Sequence, residues 1–301
     1  MIVSPINTPL PDRDGPGLLV ELKTHLVVFL GEPPGPRTAK RVFDLYESVF
    51  GDSFGIYKAT LDYAFLKAWT PEAKAYHDRV QRPDLRRGDV WGYGFQEAAE
   101  RDARLFMHHG YRPYTEPDHA SFCRFEFEAD LPPGQLLRFA ELLLPQLPVL
   151  SAYGGFFFQG RPNDRYDAAS ADRIFALSRR FWGPEVVDVE LTASVMKRGY
   201  KCVNWLTAIG PVATAELRLA LGRARDAAEG STDLGTCVLL RAGEAPILGD
   251  RNRFEDLSAY RRIAAALLPL QVARHPTFRG SKWDPATTLD WLRRFTLPEG
   301  L

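Results

Sequence analysis

The segment Phe122 to Glu128 alternates strictly, with Cys123, Phe125 and Phe127 on one side and Arg124, Glu126 and Glu128 on the other. Successive side chains of a β-strand point to opposite faces, so this pattern describes a strand with one face on a core and one in water. Parallel sheets are covered on both faces and read as near-continuous apolar runs; the alternation therefore argues for antiparallel pairing. The order strand, helix, strand recurs over 18–60, 121–159 and 203–241 at similar spacing, without a residue-level repeat. Together these features predict an α+β fold, mostly antiparallel sheet with helices packed on one face and three loosely similar strand–helix–strand units. A length of 301 residues suits one domain over 1–301, its natural point of sub-division near 115–120.

Leu18 to Leu30 reads as a strand, and the Gly/Pro-rich stretch 31–36 as a turn. Val42, Phe43, Leu45, Tyr46, Val49 and Phe50 then recur at helical spacing, predicting an amphipathic helix from about residue 37. Residues 54–60 read as a strand. Thr70-Pro71-Glu72 opens a helix, with Thr as cap, Pro in the first turn and an acid beside it. The runs around Trp91 to Phe95 and Leu105 to Met107 look like strands of a meander, joined by a charged turn from Glu97 to Asp102. A helix after Pro132-Pro133 presents Leu136, Leu137, Ala140, Leu143 and Leu144 as its buried stripe. A strand over 150–159 and a helix over 168–181 follow. A helix over 256–268 turns Leu257, Tyr260, Ala264, Leu267 and Leu268 inward, and a last one starts after Asp284-Pro285.

The most sharply specified stretch is Val203 to Arg253. Two apolar runs flank a helix, and the second feeds a turn rich in Gly, Pro, Asp and Asn. Trp205 is expected in the core. Gly243 and Gly249 suit backbone positions with positive φ. Asp250 and Asn252 can bond their own downstream amides and start the following helix. Asn204-Trp205-Leu206-Thr207, the turn Pro246 to Asp250, Tyr260-Arg261 and Trp291 to Phe295 resemble the TsiV-type immunity proteins of type VI secretion. Tyr153-Gly154-Gly155 and Ala176 to Phe181 are similar to the same family. Its members neutralise nuclease effectors carrying a VRR-Nuc domain. The resemblance implies a cytosolic, non-catalytic protein whose partner is a cognate effector, with no cofactor. The motifs that carry it, Asn204, Trp205, Gly249, Asp250 and Asn252 above all, read as structural and do not mark a binding surface.

Composition agrees with a protein partner. Basic and acidic residues number 38 each, giving neither the basic excess of a nucleic-acid binder nor the acidic excess of a DNA mimic. Three scattered cysteines, Cys123, Cys202 and Cys237, imply no disulfide framework and suit a reducing cytosol. The N-terminus lacks the charged and apolar regions of a secretory leader, and no apolar run approaches a membrane span.

The competing reading is a metal-dependent nuclease. Pro11-Asp12 followed by Glu21-Leu22-Lys23 has the spacing of PD-(D/E)xK enzymes, where two carboxylates hold a divalent cation and the lysine polarises water or phosphate. Against it, ten residues before Pro11 are too few for the helix and strand that precede the aspartate in such a core. Glu21 and Lys23 also fall where an alternating strand faces water. His108 and His109 are strand neighbours on opposite faces, a poor metal pair. His77 and His119 have no partner at ligand spacing. Gly92-Tyr93-Gly94 lacks the third glycine of a nucleotide loop. The cysteines sit in apolar runs and read as inert buried thiols. We therefore expect no catalytic residue, cofactor or metal ligand.

For a partner interface the best conjunction is Trp91, Tyr93, Glu97, Glu100 and Asp102, where an aromatic strand leads into an acidic turn. An inhibitor that competes with a polyanion for a basic cleft needs exposed carboxylates beside an aromatic anchor. Glu116 with Asp118, and the loop from Gly160 to Tyr166, come next.

Overall fold

In a computed structural model that describes residues 8–9, 18–32, 36–52, 54–59, 67–79, 91–97, 105–110, 119–160 and 168–297, the chain opens with β1 (Thr8–Pro9) pairing on β2 (Leu18–Leu30). Then come α1 (Pro36–Phe50), β3 (Ile56–Ala59), β4 (Lys67–Ala68), α2 (Pro71–Arg79), β5 (Trp91–Gln96), β6 (Leu105–Gly110) and β7 (Ser121–Glu128). The second half runs α3 (Pro133–Leu143), β8 (Val149–Gly160), α4 (Ala168–Arg180), β9 (Glu185–Val186), α5 (Val189–Ala193), β10 (Leu206–Ile209) and α6 (Ala215–Ala227). It ends with β11 (Gly230–Asp233), β12 (Val238–Arg241), α7 (Ser258–Leu267) and α8 (Pro285–Leu292). One continuous sheet has the order β11-β12-β10-β8-β2-β7-β6-β5-β3-β4. Neighbours along it are antiparallel, and only the short β9 joins β8 in parallel. This is the α+β, mostly antiparallel fold that the alternation implies. Two of the strand–helix–strand units interleave, because β2 lies between β7 and β8.

The main core lies between the sheet and the larger helices. Leu22, Leu26, Val28 and Leu30 of β2 share it with Phe125 and Phe127 of β7, Tyr46 and Phe50 of α1, and Leu136, Phe139 and Leu143 of α3. Tyr46 stacks over Phe125 and Phe127 at 6.1 Å and meets Phe139 edge-on at 5.9 Å. Offset and edge-to-face contacts of this kind add to the gain from burial. Helices α6 and α7 join through Ala220, Leu221, Ala224, Tyr260, Ile263 and Leu267. Among the described residues no helix is long and apolar enough to cross a membrane.

The other face departs from expectation. Val27, Phe29, Phe122 and Tyr153 form a second core with Val189 and Ala193 of α5, Met196 and Val272. The parity of Phe122 to Glu128 holds, but the polar side is largely covered: Glu126 is buried and pairs with the half-buried Arg124, and only Glu128 at the strand end reaches water. Glu21 and Lys23, placed by alternation in water, are only 7% and 2% exposed. The lysine Nζ lies 2.8 Å from Glu128 and 3.9 Å from Glu21. A strand covered on both faces can keep polar residues only by pairing them.

Several local expectations are refined. Trp205 is 1% exposed and its Nε1 donates to the Gly243 carbonyl at 2.8 Å. Gly249 has φ 61°, and a Cβ there would lie 2.8 Å from Gly183 N. Gly243 does not take a positive φ; its carbonyl, not its conformational freedom, is what the corner uses. Gly155, with φ 147°, is another required glycine, since a Cβ would lie 2.3 Å from Asn204 Oδ1. Asp250 caps a 3-10 turn over Arg251–Arg253, and the helix proper starts only at Ser258. In α7, Ile263 takes the inward place expected of Leu268, which is 43% exposed. In α3, Phe139 is buried and Leu137 only half-buried. Strand β11 escaped the sequence because Gly-Ser-Thr-Asp carries no apolar signal.

Trp205→Ala is expected to cost about 3–5 kcal/mol in urea denaturation, because it empties a closed site and removes one of the two side-chain donors to the Gly243 carbonyl. A loss under about 1 kcal/mol would show that the corner repacks freely.

Candidate functional site

The five interface candidates are only partly placed. Trp91 and Tyr93 lie on β5, paired with β6 on one side and, at Tyr93, with Ala59 of β3 on the other. Phe95 of the same strand is buried against Phe43 and Trp69. Glu97 follows directly and is half-buried. Glu100 and Asp102 lie outside the described residues, as do Asp12, Glu116, Asp118 and Arg161 to Tyr166. His108 and His109 are on β6.

The residues of the family motif converge at one corner. Asn204 Oδ1 accepts from Trp205 N at 2.7 Å, and its backbone N donates to Thr207 Oγ1 at 3.0 Å. Asp250 is buried, and its carboxylate takes Nε and Nη2 of Arg180 at 2.9 and 2.7 Å and the backbone N of Asn252 at 3.0 Å. The hydrogen bonds from Arg180, and then that from Asn252 with the nearby positive charge, hold the Asp250 carboxyl below the usual carboxylate range.

A buried ionic cluster, which sequence reasoning missed, lies behind the second core. The Glu185 carboxylate accepts from Cys202 Sγ at 3.0 Å and lies 3.0 Å from Lys201 Nζ and 3.4 Å from Arg294 Nη2. Lys201 also donates to the Val186 carbonyl at 2.7 Å, and Arg294 Nε to the Trp182 carbonyl at 2.7 Å. Burial opposes the charge on Glu185, but Lys201, Arg294 and the Cys202 hydrogen bond together outweigh it and bring the carboxyl down to about 2. Burial, then the Glu185 charge, pushes the Cys202 thiol up to about 12. Burial also pushes Cys123 far up and Cys237 up to about 11, so all three thiols stay protonated at neutral pH. His25 is stacked on Phe157 at 4.6 Å, and neither ring nitrogen has a hydrogen-bond partner among the described residues. Burial keeps it neutral. His275 is lowered to about 4, first by burial and then by Lys201.

Chemically this cluster is a closed lock. Its carboxylate is held ionised by two cations, and its thiol donates instead of attacking. Its signal in the sequence is faint: Lys201 is a single charge beside an apolar run, and Arg294 is one of two adjacent arginines in a short aromatic stretch. Among the described residues no three His, Cys, Asp or Glu side chains are grouped to hold a metal ion. Glu21 and Lys23 do share one face of β2, but Lys23 is committed to Glu128.

The family described as "TsiV: Type VI immunity for VRR-NUC" matches residues 91–295, well over half of the chain. Among solved structures, the Pseudomonas aeruginosa T6SS protein PA0821 superposes with a TM-score of 0.72 at 17% identity, over 93% of this chain and 84% of that one. At that identity the likeness shows the fold alone. No curated protein matches.

The histidines set an acid limit. His275 binds a proton at about 6.5 when unfolded and only near 4 when folded, so the unfolded state takes up protons first as pH falls. His275 alone is expected to cost roughly 3 kcal/mol of stability between pH 7 and pH 4. His275→Gln should flatten that slope in urea titrations. A wild-type profile flat from pH 7 to pH 5 would contradict the assignment.

Proposed function

We propose, from the premise that this chain belongs to the TsiV family of type VI immunity proteins, that it binds a cognate VRR-NUC effector in the cytosol and neutralises it without catalysis of its own. The observation that carries this reading is the family match, which spans β5 through Phe295 and contains both the Trp205 corner and the candidate interface. The chemistry of the buried groups is compatible with it: protonated thiols, a cation-locked carboxylate and neutral histidines make a scaffold and supply no activated nucleophile.

The acidic segment after β5 is the surface we assign to the effector. A nuclease keeps a basic cleft for its polyanionic substrate, and carboxylates at Glu97, Glu100 and Asp102 would accelerate encounter with it. The aromatic residues Trp91 and Tyr93 would supply the apolar contact beside those charges.

The triple variant Glu97→Lys, Glu100→Lys, Asp102→Lys is expected to slow association with the effector about tenfold or more and to weaken its salt dependence. Cells making the effector should lose protection while the variant keeps the wild-type melting temperature. Unchanged association and protection would move the interface elsewhere, first to the loop Gly160 to Tyr166. Purified protein is also expected not to cut DNA or RNA with magnesium or manganese. Metal-dependent cleavage that disappears in Asp12→Ala would replace the immunity reading by the nuclease one.

A further inference from the structure

We propose that the turn Arg251 to Glu255 is an anchor for the effector, with Phe254 entering an apolar pocket whose rim carries a carboxylate that meets Arg253. This rests on the immunity reading and adds to it a second surface and the chemistry of its counterpart.

Phe254 combines an exposed ring with a left-handed backbone that ends the 3-10 turn over Arg251–Arg253. Its side chain lies almost wholly in water, the residue being 92% exposed, the most of any large hydrophobic among those described. It is also the one non-glycine residue with positive φ among them, at φ 54° and ψ 39°. A left-handed backbone is sterically unfavourable for a bulky side chain, and glycine would take it freely. Such conformations persist only where the surroundings over-determine them, and they concentrate where a ligand is held.

Here the surroundings do over-determine it. Asp250 fixes the turn from both of its ends: its N donates to Glu255 Oε2 at 3.1 Å, and its carbonyl accepts from Arg253 N at 3.0 Å and Glu255 N at 3.3 Å. Phe254 N donates to the Arg251 carbonyl at 3.3 Å. The Asp250 carboxylate is tied to Arg180 on α4, so the turn is fastened to the body of the protein. An anchor held this way loses little freedom on binding.

Charge identifies the counterpart. Glu255 is turned onto the Asp250 amide, and Asp256 onto Ser258 N and Oγ at 2.8 and 3.0 Å. Arg251 lies over the Trp182 ring at 4.5 Å. The Arg253 side chain is 75% exposed, and Asp250, 3.7 Å away, is already taken by Arg180. The outward face of the turn carries the aromatic ring, the exposed Arg253 guanidinium, and the exposed Glu255 and Asp256, whose carboxylates are each already hydrogen-bonded to a backbone amide. A single arginine is not the basic patch that nucleic acid requires. It fits a protein pocket with an apolar floor and an acidic rim, the setting in which aromatic and arginine anchors dominate binding.

The test uses the full chain, a purified VRR-NUC domain and the variants Phe254→Gly, Phe254→Ala and Arg253→Glu. Phe254→Gly should keep or raise the melting temperature, since it relieves the backbone and removes no internal contact. Both Phe254 variants should weaken Kd by about 30-fold or more, mainly through faster dissociation. Arg253→Glu should slow association. If the wild type binds and Phe254→Gly binds within about twofold of it, the anchor is wrong while the immunity reading stands. A lower melting temperature in Phe254→Gly would overturn it in favour of a structural role. Loss of self-association, or of vesicle or DNA binding, with effector affinity unchanged would overturn it in favour of another partner. If the wild type itself does not bind, the proposed function fails and the anchor with it.

Discussion

Strand β2 is paired along both edges and covered on both faces, and this double burial governs the rest of the molecule. Its even-numbered apolar residues meet the helices; Val27 and Phe29 meet the second core. Its remaining polar residues then have no water to turn to. Lys23 is neutralised by Glu128 and Glu21, and His25 stays uncharged against Phe157. Farther along the same face, Glu185, Lys201 and Arg294 tie β9, the stretch before β10 and the end of the chain into one ionic knot. Removing Glu185 would leave Lys201 and Arg294 as buried charges without their counter-ion, which is far more damaging than the net worth of the pairs.

Buried groups are held in fixed protonation states, and the proposed contacts with a partner lie on the surface. Two segments are proposed to meet that partner: the acidic stretch that begins at Glu97, and the Asp250 turn, which lies between β12 and α7. They lie on opposite sides of the β2–β8 pair in the sheet order. The first would act through long-range charge, the second through one buried ring.

The sequence was most informative where periodicity is long. The thirteen-residue β2, the helical spacing of Val42 to Phe50 and the parity of Phe122 to Glu128 all appear as read. Trp205, Gly249 and the cap at Asp284 were legible because their chemistry leaves few alternatives. The covering of the second face was not, since α5 spans only Val189–Ala193 and the segment around Met196 is shorter still. Neither is long enough to show a period. This is why Glu21, Lys23 and Glu126 were expected in water. The left-handed backbone at Phe254 had no signal, because sequence reasoning expects glycine or asparagine there. The family motifs mark the corner around Asn204 and Trp205, which is buried, and so they reveal kinship more clearly than contact surface.

The central claim is inhibition by stoichiometric binding. Its most direct measurement is a titration of a cognate VRR-NUC domain's nuclease activity with the purified chain, at enzyme concentrations well above Kd. Activity should fall linearly to zero at about one equivalent, with the chain recovered intact and able to inhibit again. Complete inhibition far below one equivalent would reveal catalysis, and full activity at several-fold excess would remove the immunity reading for that effector.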